Sequence, residues 1–246
     1  VIKAVAVARS STSEKWTVLK STSPYIRTWT PSGENLSSAE YVIVISPGGS
    51  TSSNQRLLIN NGSAFSTAYS GVTSSPWVPS DNTDTRVVYG VDPDTSLRMP
   101  FNRADYYIST SNVPTKCAPN TGVLGKAVVN QSGGALTNFL PILDCVADMQ
   151  VIYRRDTDND GTIDNTTDNI TALTAQQIRE QVKEVRVYIL THEGQSDLNY
   201  TYSNSTITVG EFGLGSTFNL SSTIGSTYTN YRWKVYTMVV KTVNLK

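Results

Sequence analysis

The residues with the clearest chemistry lie in the run Asp156-Thr157-Asp158-Asn159-Asp160-Gly161-Thr162-Ile163-Asp164, which reads D-x-D-x-D-G-x-x-D. Carboxylates at alternate positions, followed by glycine, let a short loop curl around one hard cation. Asp156, Asp158 and Asp160 would each supply one oxygen. Gly161 would take the sharp turn, Thr162 would offer its backbone carbonyl, and Asp164 would close the sphere directly or through a water. Without a cation, carboxylates this close repel one another. The pattern departs from the EF-hand form at its twelfth position, which is Thr167 and not Glu; Asp168, one residue on, is the candidate substitute. No strong helix pattern precedes the run, so it reads as an isolated calcium loop. The plain alternative is a solvated acidic turn between strands.

Other chemistry is sparse. The two cysteines, Cys117 and Cys145, suggest one disulfide. It would close a loop of about 29 residues and contribute roughly 3 kcal/mol in the loop-entropy account. The alternative is a pair of buried thiols. A C-x-x-C redox or zinc arrangement is absent. The single histidine, His192, falls at the end of an expected strand and reads as a strand-edge residue rather than a catalytic one. No H-x-x-x-H, G-x-S-x-G or P-loop pattern occurs. Glu34, Glu40, Glu180, Glu184 and Glu193 sit in no informative context, although an acid pair of the glycosidase type is not visible to sequence reading. The expectation is a protein that is not an enzyme.

The elements that must hold these groups are mostly strands. The apolar runs are short, rich in Val, Ile and Tyr, and bounded by Ser, Thr, Asn, Gly or Pro. Candidates are Val1–Ala8, Tyr41–Ser46, Arg56–Ile59, Arg86–Tyr89, Ala104–Ser109, Gly122–Val129, Met149–Tyr153, Val185–Thr191, Ser205–Val209 and Arg232–Val243. The run Tyr41 to Ile45 is continuously apolar and predicts a central strand covered on both faces. The last run alternates, with faces that change character along its length, as in a strand passing from sheet centre to edge. One helix is predicted, from Thr174 to about Lys183. Thr174 is its cap and Gln177 stands three residues on, in capping-box spacing. Trp16, Tyr25 and Trp29 lie in the irregular stretch from Ser10 to Ser37 and read first as side chains pinned under loops, and second as a contact surface. The span Ser70–Asp84, with Trp77 inside it, reads as a long surface loop. The fold class is therefore α+β, mainly β, with antiparallel sheets and few helices.

Composition narrows the partners. Lys plus Arg and Asp plus Glu both number 20, so the net charge is zero and nucleic acid is not the expected partner. Charged residues make only 16% of the chain, and hydroxyl side chains are abundant, as in exported β-rich proteins. No run of 18 apolar residues spans a membrane. The chain opens directly on Val1-Ile2-Lys3-Ala4-Val5-Ala6-Val7-Ala8, which already looks like strand interior, and we expect that something N-terminal was cut away or belongs to another chain.

Four segments carry a resemblance. Pro141 to Asp164 runs through Val146-Ala147-Asp148-Met149-Gln150-Val151 straight into the aspartate-rich turn. Glu184-Val185-Arg186-Val187-Tyr188-Ile189-Leu190 follows the expected helix. Tyr231-Arg232-Trp233-Lys234-Val235-Tyr236-Thr237 closes the chain, and Cys117-Ala118-Pro119-Asn120-Thr121-Gly122-Val123-Leu124 lies upstream. In this order and spacing they resemble bacterial PilW-like minor pilins of type IV pili, from Ala104 onward; the first hundred residues match only loosely. The resemblance implies a pilin-like globular head over residues 1–246, with a variable β-rich part (1–103) and a PilW-like part (104–246). It pairs Cys117 with Cys145. Type IV pilins also carry a leader and a long apolar N-terminal helix, and this chain is expected to be without them. The helix is expected to have been trimmed, or to come from a separate chain as in split pilins. The function implied is structural, in pilus assembly, surface display or adhesion. Expected partners are other pilin subunits, a separate helical pilin chain and a tip adhesin, on an extracellular bacterial pilus. The alternatives are a type II secretion pseudopilin and a secreted calcium-dependent adhesin or carbohydrate-binding module with Trp77 on a flat ligand face. A secreted hydrolase with an unrecognised acid pair comes last.

Overall fold

Branched and aromatic side chains suit a pleated, half-buried surface better than a helix. The computed structural model bears this out over the residues it describes, 2–4, 7, 10–47, 57–91 and 97–242, where strands dominate and every recorded ladder is antiparallel. The chain is mainly β, as expected. It divides into two compact units, Val1–Tyr106 with Lys126–Leu140, and Tyr107–Gly125 with Pro141–Lys246.

The first unit holds β1 (Ile2–Ala4), β2 (Trp16–Leu19), β3 (Tyr41–Ser46), β4 (Leu57–Leu58), β5 (Thr67–Ala68) and β6 (Arg86–Gly90). Val1, Val5, Ala6, Ala8 and Arg56, which belonged to expected strands, lie outside the described residues. The order β2-β6-β3-β4 places β3 inside, with β5 also paired to it. Its side chains alternate between two apolar layers. Val42 and Val44 pack with Leu19, Val72, Trp77 and Val88, while Ile43 and Ile45 pack with Val91 and Leu97. Continuous apolarity in a short run is thus the mark of a strand covered on both sides.

Two readings in this unit need correction. Trp77 is 5% exposed, so it forms no ligand face. The stretch around it is irregular, as expected, but Val72 and Trp77 anchor it to the core. Conversely, Trp16 and Tyr25 are not pinned under loops: Trp16 is 43% exposed, and its ring lies 4.8 Å from that of Trp29. Arg27 stacks on Trp29 at 4.2 Å.

The unit boundaries fall inside β7 (Asn102–Ser109), β8 (Gly122–Val129) and β9 (Leu136–Arg155). The second unit adds β10 (Asn165–Thr167), α1 (Ala175–Gln181), β11 (Val182–Glu193), β12 (Thr206–Val209), β13 (Ser216–Asn219), α2 (Leu220–Thr223) and β14 (Arg232–Lys241). β11 lies between β9 and β14, and its ladder with β14 runs from Glu184 opposite Lys241 to Glu193 opposite Arg232. Ile152, Tyr188, Leu190, Val209, Leu220 and Trp233 form the core beneath it. The far half of β14 turns to solvent, with Val239 and Val240 each 49% exposed. Val243, at its expected end, lies outside the described residues.

α1 begins where its capping box places it. The Thr174 hydroxyl accepts from the Gln177 amide at 3.2 Å, and the Gln177 side chain accepts from the Thr174 amide at 2.9 Å. The helix ends two residues early, because Val182 is drawn into β11 and buried to 3%. β9 starts well before Met149. Pro141, which has no amide donor, interrupts the sequence pattern, and Cys145 adopts φ 60°, yet neither ends the strand. A register shift at Leu190/Thr191 absorbs the irregularity, and the Thr191 hydroxyl donates to the Asp144 and Cys145 carbonyls.

Candidate metal site

The aspartate run is the connection of a hairpin. β9 ends at Arg155 and β10 pairs back on it, Asn165 opposite Arg155 and Thr167 opposite Tyr153. The Asp164 amide closes the loop by donating to the Arg155 carbonyl at 3.0 Å. From behind, α1 holds the loop at its first residue: the Asp156 amide donates to the Gln181 carbonyl at 2.9 Å. The Gln181 side-chain amide donates to the Thr157 carbonyl at 3.3 Å.

Inside the loop the carboxylates shape the backbone. Asp156 Oδ2 accepts from the Gly161 amide at 3.1 Å, Asp158 Oδ1 from the Asp160 amide at 3.3 Å, and Asp160 Oδ1 from the Thr162 amide at 2.7 Å. Gly161 sits at φ 92°, in the left-handed region that a side chain disfavours. The outcome is that Asp156, Asp158 and Asp160 each bring a carboxylate oxygen within 4.8 Å of the other two. A calcium–oxygen bond of 2.3–2.6 Å lets ligands on opposite sides of the ion stand about 5 Å apart, so the three oxygens are spaced to share one ion.

Two expected ligands are not in that group. Both oxygens of Asp164 accept from Thr157, whose amide and hydroxyl donate to them at 3.1 and 2.7 Å. The Thr157 hydroxyl above all, helped by its amide, holds the Asp164 carboxyl below its ordinary range against the upward push of desolvation. Asp164 therefore pins the loop entrance. Asp168 is exposed and stands outside the cluster. Thr162 is engaged through its amide, which leaves its carbonyl as the candidate donor.

Asp156 is the unusual member. It is 1% exposed, and its Oδ1 has no hydrogen-bond partner. Lys183 approaches the other oxygen at 3.6 Å, beyond hydrogen-bond reach, while donating to the Glu180 carbonyl at 2.7 Å. A buried ionised carboxylate short of donors is costly, and a hard cation is one group that would satisfy it. The residues present thus fit a divalent ion. Sequence spacing located the carboxylates; it gave no sign of Lys183, Gln181 or Thr157, which meet the loop through folding or local hydrogen bonds.

The second unit also holds the disulfide. Cys117 and Cys145 are bonded, with Cα atoms 4.9 Å apart, as expected. His192 packs beside them, 5% exposed, so it is a core side chain of β11 and not a strand-edge residue. Its Nε2 accepts from the Ala118 amide at 2.9 Å, and its ring lies 4.5 Å from Tyr231 and 5.2 Å from Trp233. Burial holds its pKa below the ordinary histidine range. Of the glutamates, Glu184 pairs with Arg186 at 2.6 Å and Arg154 at 3.3 Å. Glu40, in the first unit, is enclosed by Thr12, Lys15 and Ser37.

Among the described residues no helix is long and apolar enough to cross a membrane. A family model described as type IV pilus-assembly protein W matches residues 105–244, the span that contains both cysteines and the aspartate loop. No curated protein and no solved structure matches the chain.

Proposed function

The chain belongs to the type IV pilus-assembly protein W family, and on that premise we propose that it is a structural subunit of the pilus whose head is stiffened by one calcium ion. The observation that carries the family role is the match over 105–244; the one that carries the ion is the unpartnered, buried Oδ1 of Asp156 beside two further carboxylates. The work of such a subunit is packing. Its sheet and disulfide form a stable body that meets other pilin subunits, a separate helical pilin chain or a tip adhesin at the cell surface. Calcium would be held by Asp156, Asp158, Asp160 and the Thr162 carbonyl, with Asp164 fixing the loop entrance. The ion supplies positive charge and hard coordination, replacing carboxylate repulsion with shared ligation. An ion that binds only the folded state stabilises it by RT ln(1 + [L]/Kd), about 2.7 kcal/mol at 100-fold excess.

The assembly role is tested in cells that make these pili. Deleting the gene should reduce surface pili, restoring it should recover them, and the chain should be found in the sheared pilus fraction. Normal piliation in the deletion strain, with the chain never in that fraction, would contradict the proposal.

A further inference from the structure

We infer that the calcium-loaded loop is a receptor for an acidic sugar, whose carboxylate completes the coordination of the ion in the cavity beside Asp156. The inference rests on the calcium reading above and adds a ligand to it. Calcium takes about six to eight oxygens. The loop offers one carboxylate oxygen or more from each of Asp156, Asp158 and Asp160, and the Thr162 carbonyl. The EF-hand form adds two oxygens at its twelfth position, but Thr167 stands there. Asp164 is engaged by Thr157, and Asp168 is outside the cluster. Positions are therefore left on the ion for oxygens from elsewhere.

A cavity of about 390 Å³ lies at this place, lined by Asp156, Asn159, Lys183, Glu184 and Lys241 among others. Its size is that of a small-molecule site. The charges around it change sign with the metal. Glu184, Arg154, Arg186 and Glu211 cancel one another in a linked ion-pair group, Arg186 bridging the two glutamates. Lys241, opposite Glu184 across β11 and β14, makes no ion pair among the described residues, and Lys183 stands 3.6 Å from Asp156. Three loop carboxylates against two ammonium groups leave one net negative charge, which repels an anion. A divalent ion turns this into one net positive charge, which attracts one. A carboxylate is the hard oxygen donor that calcium favours, and the Asn159 amide beside it can bond sugar hydroxyls. An acidic sugar combines both groups in a volume of this size.

Isothermal titration of the full chain tests this in steps. Calcium chloride is titrated into chelator-washed protein, then sodium glucuronate into calcium-loaded protein and into protein held in EGTA, with glucose as the neutral control. Glucuronate should bind the calcium form at least about tenfold more tightly than the EGTA form, and glucose should give no heat. Lys241→Ala should weaken glucuronate by about threefold or more. Calcium heat with no glucuronate heat, or glucuronate binding that EGTA leaves unchanged, would overturn the inference while the calcium reading stood. Absence of calcium heat would overturn both. A tetraglutamate peptide that outbinds glucuronate would overturn the sugar assignment and put the carboxylate on a protein.

Discussion

Glu40 and Asp156 are buried carboxylates, one in each unit, and they are satisfied in opposite ways. Glu40 Oε1 accepts from the Thr12 hydroxyl at 2.7 Å and the Lys15 ammonium at 2.9 Å, and its Oε2 accepts from the Ser37 amide at 2.6 Å. Asp156 is more deeply buried, yet it receives one amide on Oδ2 and nothing on Oδ1. Burial pushes the Glu40 pKa upward, but Lys15, Thr12 and Ser37 together hold it below the ordinary value. A carboxylate taken out of water needs donors or a counter-charge nearby. Where the chain supplies them all, the group is a structural clamp. Where it leaves one oxygen bare beside two more carboxylates, the group is suited to an ion that comes from outside.

The contrast is sharpest under mutation. Glu40→Ala should destabilise the protein by about 2–4 kcal/mol, because it strands the Lys15 ammonium and the buried Thr12 hydroxyl. That loss should be the same with and without calcium in urea unfolding. A loss below about 1 kcal/mol would mean that the clamp is not structural. Calcium removal should act on the other unit. EGTA should lower stability by about 2.7 kcal/mol from a state with calcium 100-fold over Kd. For a chain of this size that is a fall in Tm of roughly 5–10 °C. Asp158→Ala should abolish the sensitivity to EGTA, and an unchanged fall in that variant would remove Asp158 from the ligand set.

These two carboxylates also show what was legible in the sequence. The aspartate loop could be read because its ligands lie at fixed spacing on one short segment. The bounds of β3 and β8 and the capping box of α1 were legible for the same reason: alternation and capping are local. The disulfide followed from having only two cysteines. Glu40 sat in no informative context because Thr12 and Lys15, 28 and 25 residues away, meet it only after folding. The same limit hid the burial of Trp77 and of His192. β9 was cut short because Pro141, which has no amide to donate, reads as the boundary of a strand, whereas the strand runs on from Leu136 through it with β8 as its other neighbour. Asp164 was placed by the same spacing, which does not say that Thr157 donates to both of its oxygens.

Acid should affect the clamp in a stated direction. Since the folded pKa of Glu40 lies below its ordinary value of 4.5, its contribution is present above about pH 4.5 and is lost as pH falls through the folded pKa. The stability difference between wild type and Glu40→Gln should therefore shrink on acidification below that point, as followed by urea unfolding at each pH. A difference that grows instead would reverse the sign of the assignment. The smallest effect belongs to the loop entrance. Thr157→Val removes the hydroxyl donor to Asp164 at an exposed site and should lower stability less than any change above, as read by urea unfolding. It should also let the Asp164 carboxyl titrate at higher pH, as read by carboxyl NMR.

Whether the bare oxygen of Asp156 belongs to a metal ion is decided by calorimetric titration of calcium into wild type and into Asp156→Asn. One calcium should bind per wild-type chain, and the isotherm should be lost or weakened at least about tenfold in Asp156→Asn. No calcium heat in the wild type, or the same isotherm in both proteins, would contradict it.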